Sequence, residues 1–131
     1  MEGSEAALGP AACWGLLSQS SVGRLALSVR ALPMILPVRY VVDDASVAIS
    51  LGALGMPAAA VQDSVVAFAV DRIDDSSATG WMVQMQARAQ VAPAASAAGD
   101  ADGRSADLVV RLVPGTLAGH RFTLRPFDPG R

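Results

Sequence analysis

Few residues in this chain are of a type that could perform acid–base, nucleophilic or metal chemistry. His120 is the one histidine and Cys13 the one cysteine, so neither a His-rich zinc site nor a Cys–His cluster can be assembled. Three acids between residues 71 and 75 resemble a metal cluster, but the serines after them are more typical of a solvated turn. The sequence has no nucleophile elbow, phosphate-binding loop or dinucleotide fingerprint. These residues alone therefore indicate no reaction.

The charged residues are sparse and include no lysine. The formal net charge is −2, and the ten basic residues are all arginines, distributed thinly from Arg24 to Arg131. A nucleic-acid-binding domain usually carries a basic patch or stripe, and none is visible here. We therefore expect no nucleic-acid partner.

The apolar content is high for a chain of 131 residues. Hydrophobic residues make up 52 % of the sequence and charged residues 17 %. A small domain of this composition is unable to bury all of its apolar surface within one subunit. The composition therefore predicts a homodimer.

Two long uncharged stretches need to be tested as membrane or targeting segments. Residues 6–23 follow Glu2 and Glu5, which have the wrong charge for a signal peptide, and residues 45–62 contain two glycines and Pro57. Neither stretch provides the roughly 20 strongly apolar residues that a spanning helix needs. We expect a cytoplasmic protein with no membrane association.

The clearest structural element is residues 80–91. Its odd positions, starting at Trp81, are apolar, and its even positions from Gln84 onward are polar. Successive side chains of a strand point to opposite faces, so this pattern predicts a long strand with one buried face. A long one-sided strand is typical of a curved antiparallel sheet or a small barrel.

Similar reasoning predicts six strands and two short helices in a single domain, residues 1–131. The fold class is therefore all-β, an antiparallel barrel with minor helices, because no strand–helix–strand alternation runs through the chain. Residues 1–8 are expected to be frayed, and residues 92–107 to form a flexible linker or a weak helix. Pro37 lies inside a strand, so it marks either a bulge or an unpaired edge. The strands are expected at residues 23–29, 33–42, 47–50, 65–70, 80–91 and 108–113, with a last short extended piece at 119–124 and helices at 10–19 and 57–61.

Several short motifs together resemble the pyridoxamine 5′-phosphate oxidase-like split-barrel family. They are Val-Gly-Arg-Leu-Ala at 22–26, Leu-Pro-Val-Arg-Tyr at 36–40, Val-Ala-Phe-Ala-Val-Asp at 66–71, Gly-Trp at 80–81 and Arg-Ala at 88–89. Each motif is weak on its own, but their order and spacing are specific. The resemblance implies a six-stranded split barrel of the FMN-binding type and a homodimer with two cofactor pockets across the subunit interface.

The resemblance also implies a cofactor, FMN or a deazaflavin, and a set of residues that would bind it. Relatives grip the cofactor phosphate with basic and hydroxyl side chains just after the third strand, yet this chain has no cation between Arg39 and Arg72. Binding is therefore expected to be weak or absent. The expected function is a flavin- or deazaflavin-dependent oxidoreductase that lacks the usual phosphate anchors; the alternative is a cofactor-free dimeric accessory protein. The candidate cofactor-binding residues are Pro37, Val38, Arg39, Tyr40, Ser50, Leu51, Met56, Trp81, Arg88 and Arg111.

Overall fold

Antiparallel strands dominate the computed structural model, which describes residues 4–51, 58–92 and 108–130. The element bounds in chain order are β1 Ser4–Leu8, α1 Pro10–Ser18, β2 Val22–Val29, β3 Leu32–Asp43, β4 Ser46–Ser50, α2 Ala58–Val61, β5 Val65–Ile73, β6 Thr79–Val91 and β7 Val109–Thr123. Within these ranges no helix has the length and apolarity needed to cross a bilayer.

The strands form one sheet that closes on itself. Their order is β1-β7-β4-β3-β2-β5-β6, and β6 also pairs with β7, which closes β2 to β7 into a barrel and leaves β1 paired with β7 alone. Strand β7 pairs with three neighbours, because its first half lies between β4 and β6 and its second half between β1 and β6. The predicted all-β antiparallel barrel with minor helices is confirmed.

The barrel interior is filled by alternate side chains of each strand. In β6 the odd positions from Trp81 to Ala89 are buried, and Gln84, Gln86, Arg88 and Gln90 are exposed, as the sequence predicts. Helix α1 covers one end of the barrel with Cys13, Leu16 and Leu17. Its first residue is Pro10, where the missing N–H leaves no hydrogen bond unmade. The described residues therefore share a single hydrophobic core.

Tight turns set the register of the central hairpins. The β2–β3 turn places Arg30 and Ala31 at φ 53° and 66°, and Asp44 in the β3–β4 turn has φ 53°. Two successive residues with positive φ are typical of the two-residue turns that match strand twist. Pro37 lies opposite Arg24 in a β2–β3 ladder without register shifts, while β4 pairs with β3 only from Arg39 onward. Pro37 therefore occupies an unpaired edge and not a bulge.

Three predictions about the elements need correction. The described residues contain a strand in addition to the six of the barrel, because Ser4–Leu8 forms β1 against β7 where a frayed segment was expected. The predicted strand at 108–113 and the extended piece at 119–124 are parts of one strand, β7. Strand β5 extends to Ile73, beyond the predicted end at residue 70. Most of the predicted linker, residues 93–107, lies outside the described residues.

Candidate functional site

A cleft of about 320 Å³ opens on the outer face of the sheet, where β3 and β4 pair. Most of its lining is apolar, with one guanidinium and two hydroxyl groups at its surface. Arg39, Tyr40 and Ser50, three of the predicted cofactor-binding residues, all line it. The complete lining is Ser21, Arg39, Tyr40, Val41, Ala48, Ile49, Ser50 and Val109.

Strand register brings the polar groups of this cleft together. Arg39 lies directly opposite Ser50 on β4 and opposite Val22 on β2, and Ser50 lies opposite Val109 on β7. Side chains directly opposite one another in an antiparallel pair have Cβ atoms about 4.5–5.5 Å apart. A group held between Arg39 and Ser50 would therefore meet a cation and a hydroxyl at once.

Tyr40 contributes to the floor of the cleft and anchors it to the core. Its hydroxyl donates a hydrogen bond to the carbonyl of Leu17, and its ring meets Phe68 edge-to-face at 5.1 Å. Burial raises the pKa of Tyr40, and a hydrogen bond with Ser20 offsets part of that rise. Tyr40 therefore stays protonated at neutral pH and is committed to a structural contact.

Arg39 is a cation without an internal partner. It makes no hydrogen bond or ion pair with any residue that the structure describes. The Arg111 guanidinium, by contrast, donates to the Asp43 carboxylate at 2.9 Å and to the Ser46 hydroxyl at 2.7 Å. Arg88 donates to the carbonyl of Asp63 at 2.9 Å. Arg39 is therefore the cation of the cleft that is available to a ligand.

The other predicted site residues lie elsewhere. Arg88 lines a separate cleft of about 460 Å³ between β6 and β7, and Arg111 lies beside Ala48 on the outer face. Pro37 is exposed on the edge of β3. The remaining three described candidates, Val38, Leu51 and Trp81, have their side chains in the core and do not line the cleft. Met56 lies outside the described residues.

Five lining residues lie outside the predicted set: Ser21, Val41, Ala48, Ile49 and Val109. Ala48 and Val109 are register neighbours of Val41 and Ser50, so their positions depend on strand pairing. Ser21 reaches the cleft because its carbonyl accepts a hydrogen bond from the Tyr40 amide at 2.9 Å. No local signal in the sequence identifies these contacts.

Asp74 and Asp75 lie in the turn after β5, as the sequence indicated, whereas Asp71 lies within β5 and pairs with Arg24 at 3.3 Å. The Asp74 carboxylate accepts hydrogen bonds from the amides of Ser76 and Ser77, both at 2.9 Å, and from both serine hydroxyls. These bonds lower the pKa of Asp74 to about 2. Among the residues that the structure describes, no group of three potential metal ligands is present.

Three solved structures share this architecture. The FAD-binding protein of Mycobacterium smegmatis is 23 % identical with a TM-score of 0.66, and the alignment covers 90 % of this chain and 98 % of that one. A conserved protein of unknown function from Corynebacterium diphtheriae is 25 % identical with a TM-score of 0.71, covering 91 % and 98 %. An FAD-binding protein of Mesorhizobium loti is 17 % identical with a TM-score of 0.68, covering 92 % and 98 %.

The sequence was also compared with curated proteins and with models of protein families. A search of the curated proteins found no match. The model described as pyridoxamine 5′-phosphate oxidase matches residues 10–121, a range that includes every residue lining the cleft. The chain therefore belongs to the pyridoxamine 5′-phosphate oxidase family, whose flavin-binding split barrel its fold reproduces.

Proposed function

We propose that this protein binds a flavin-type cofactor in the β3–β4 cleft and acts as an oxidoreductase. The observation that carries this proposal is the unpaired Arg39 guanidinium opposite Ser50, at the surface of a largely apolar cleft. Cofactor pockets are mostly apolar concavities of about 300–1,000 Å³ with a few polar groups that fix orientation. The cleft fits this description at the lower end of the size range.

Each part of the lining would have a separate role. Val41, Ile49 and Val109 provide apolar surface for the flavin ring, and Arg39 and Ser50 provide a cation and a hydroxyl for a phosphate. A bound flavin would supply hydride transfer, while the protein supplies orientation and electrostatics. Two of the structural neighbours are FAD-binding proteins, which supports the choice of cofactor class. We propose further that the usual phosphate anchors are missing and that binding is accordingly weak.

We also propose that the active form is a cytoplasmic homodimer. The outer face of the barrel carries exposed apolar side chains, including Ile35 at 71 % and Val65 at 67 % exposure. Ala26 pairs with Ile35 on one side and with Ala67 on the other. Both alanines have short side chains, so the surface between Ile35 and Val65 is flat and apolar. A contiguous exposed apolar patch of this kind is typical of an interface between subunits. A second subunit placed on this face would also lie next to the cleft.

Flavin titration tests the proposal. We expect the purified protein to be faintly yellow at most and to bind added flavin, detected by isothermal titration calorimetry and by a shifted flavin absorbance. Arg39→Gln should weaken binding by about tenfold or more, because a charge-assisted hydrogen bond is lost. Arg125→Gln, which removes an exposed arginine of the C-terminal tail, is the matched control and should bind normally.

The second candidate is a cofactor-free dimeric protein with a binding role. The absence of any cation between Arg39 and Arg72 in the sequence favours it. A colourless dimer that binds none of the flavins at millimolar concentration would reject the oxidoreductase proposal and support this alternative.

A further inference from the structure

A second cleft, of about 500 Å³, opens at the rim of the barrel, where β2 and β5 stop pairing with each other. Their ladder ends at Arg24 and Ala69, although both strands extend beyond these residues. We call this opening the rim cleft: residues 18–22 line one side of it, and Asp71 and Arg72 line the other. In contrast to the β3–β4 cleft, its surface is mainly polar.

One charge in the rim cleft is paired and the other is not. The Asp71 carboxylate accepts a hydrogen bond from the Arg24 guanidinium at 3.3 Å through Oδ2, and its other oxygen, Oδ1, has no partner among the described residues. Asp74, further along the chain, is committed to hydrogen bonds within its own turn. Arg72 makes no hydrogen bond or ion pair with any residue that the structure describes. The rim cleft therefore presents an uncompensated cation beside a carboxylate oxygen that can still accept.

Residues 18–22 add neutral groups that can form hydrogen bonds. The hydroxyls of Ser18 and Ser20 are already used within the chain. The Gln19 amide and the Ser21 hydroxyl, by contrast, have no hydrogen-bond partner among the described residues. Ser21 also lines the β3–β4 cleft, so ligands bound in the two clefts would be neighbours.

We propose that the rim cleft binds a small hydroxylated monocarboxylate. The carboxylate would pair with the Arg72 guanidinium, whose planar fork matches two carboxylate oxygens. One ligand hydroxyl would donate to Oδ1 of Asp71, and another would bond with Ser21 or Gln19. Binding at the rim cleft requires no flavin and thus goes beyond the proposed function.

The charges of the rim cleft select this class of ligand. Arg24 and Asp71 neutralise each other, so Arg72 leaves a single positive charge that favours a single negative one. A dianion would bring its second charge towards the Asp71 carboxylate, which repels it. The Asp71 side chain is 25 % exposed, and a ligand without hydroxyl groups would cover Oδ1 further without donating to it, which costs the desolvation of that oxygen. A neutral polyol would leave Arg72 unpaired.

Four six-carbon compounds that differ in these groups test the proposal: gluconate, hexanoate, glucitol and glucarate. Each is titrated without flavin against the isotope-labelled full chain at neutral pH and low salt, and amide shifts are followed by NMR. We expect gluconate to bind about fivefold more tightly than hexanoate or glucitol, because each of these lacks one of the two interactions. Glucarate should bind no more tightly than gluconate. The shifts should be concentrated at residues 18–22 and 71–72.

Two variants connect this preference to single residues. Arg72→Gln should lower gluconate affinity to about that of glucitol, because the cation that pairs with the carboxylate is lost. Asp71→Asn removes the repelling charge, so glucarate should then bind more tightly than gluconate. Arg125→Gln, in the exposed C-terminal tail, is the matched control and should bind gluconate normally. Circular dichroism checks that each variant is folded.

The remaining outcomes would each overturn part of the proposal. Equal affinities for gluconate and glucitol would remove the role of Arg72, and equal affinities for gluconate and hexanoate would remove that of Asp71. A loss in Arg39→Gln as large as that in Arg72→Gln would place the ligand in the β3–β4 cleft. If gluconate causes no shifts at the rim cleft, the site itself is rejected. None of these results bears on flavin binding, which the flavin titration tests separately.

Discussion

At the scale of single residues, neighbours in the sequence serve opposite purposes in β3. Arg39 faces outward and has no hydrogen-bond or ion-pair partner among the described residues, while Tyr40 faces inward and ties the strand to α1. We expect Tyr40→Phe to lower the free energy of unfolding by about 1–2 kcal/mol, because a buried hydrogen bond to the Leu17 carbonyl is lost. Urea unfolding followed by circular dichroism measures the change. An unchanged midpoint would show that the hydroxyl contributes nothing to stability.

A second prediction at the scale of single residues concerns the loss of stability at low pH. The pKa of Asp74 is lowered to about 2 in the folded protein from an ordinary value of 3.8. A carboxyl whose pKa is depressed by folding contributes stability above its unfolded pKa and loses it as the pH falls through the folded one. Stability should therefore decline from about pH 4 to pH 2.

The variant Asp74→Asn tests the source of that decline. It keeps an oxygen that can accept from Ser76 and Ser77 but does not titrate, so its unfolding midpoint should depend less on pH in this window. Asp75→Asn, which alters the adjacent residue of the same turn, is the control and should retain the full decline. Identical pH profiles for all three proteins would contradict the assignment to Asp74.

Sequence alternation predicted part of the site and not the rest. It placed Arg39 and Ser50 on two strands that a hairpin brings together, and the register makes them direct neighbours. It could not show that the Leu51 side chain faces the core, since that depends on where β4 ends. Nor could it show that Arg111 pairs with Asp43, a contact between residues 68 positions apart.

At the scale of elements, the junction of β5, β6 and β7 depends on Gly80, which has no side chain. A Cβ at Gly80 would collide with the backbone carbonyl of Arg72 and lie 2.9 Å from the Ile73 Cα. Because backbone must move to relieve this, we expect Gly80→Ala to destabilise the fold by about 1–3 kcal/mol. Thermal unfolding measures the effect.

Gly15 provides the matched control for that substitution. It lies inside α1, and a Cβ there would meet no atom within 4 Å. Alanine is favoured over glycine in a helix by about 0.5–1 kcal/mol, so Gly15→Ala should raise the melting temperature. A Gly80→Ala protein as stable as the wild type would contradict the account of Gly80.

The largest predicted loss of stability is for the substitution of Trp81, in the long strand β6. Trp81 is 9 % exposed in the core, as the alternation of the sequence predicted. Truncation of Trp81 to alanine should cost about 3–5 kcal/mol, as for other core aromatic residues. Chemical denaturation measures this cost, and Met82→Ala, on the opposite face of the same strand, should cost clearly less. A Trp81→Ala protein with wild-type stability would show that the ring contributes no packing.

Two elements escaped prediction because tertiary contacts decide them. Pro114-Gly115 has the composition of a turn, yet β7 passes through it with an irregularity opposite Gln86 and Ala87. Residues 4–8 have no marked strand propensity and are extended because they pair with the end of β7. In both cases the deciding partner is a distant strand, which local composition cannot reveal.

At the scale of the whole molecule, the proposed dimer depends on the apolar outer face. Ile35→Glu places a charge at its most exposed side chain, and we expect it to shift the protein from dimer to monomer without unfolding it. Analytical ultracentrifugation at micromolar concentration measures the mass. Phe127→Glu introduces the same charge at a still more exposed aromatic of the tail and should leave the dimer intact. A monomeric wild-type protein would contradict the proposal.

The position of β7 determines when the molecule can be completed during synthesis. Strands β2 to β6 can pair with one another as they leave the ribosome, but β1 has no partner until β7 is made, and β4, already paired with β3, gains its second neighbour only then. Leu8 pairs with Gly119, so this segment stays without its neighbour while the 110 residues between them are translated. Closure of such distant contacts is slow. Val109 of β7 also forms part of the cleft, so cofactor could be captured only after the barrel has closed.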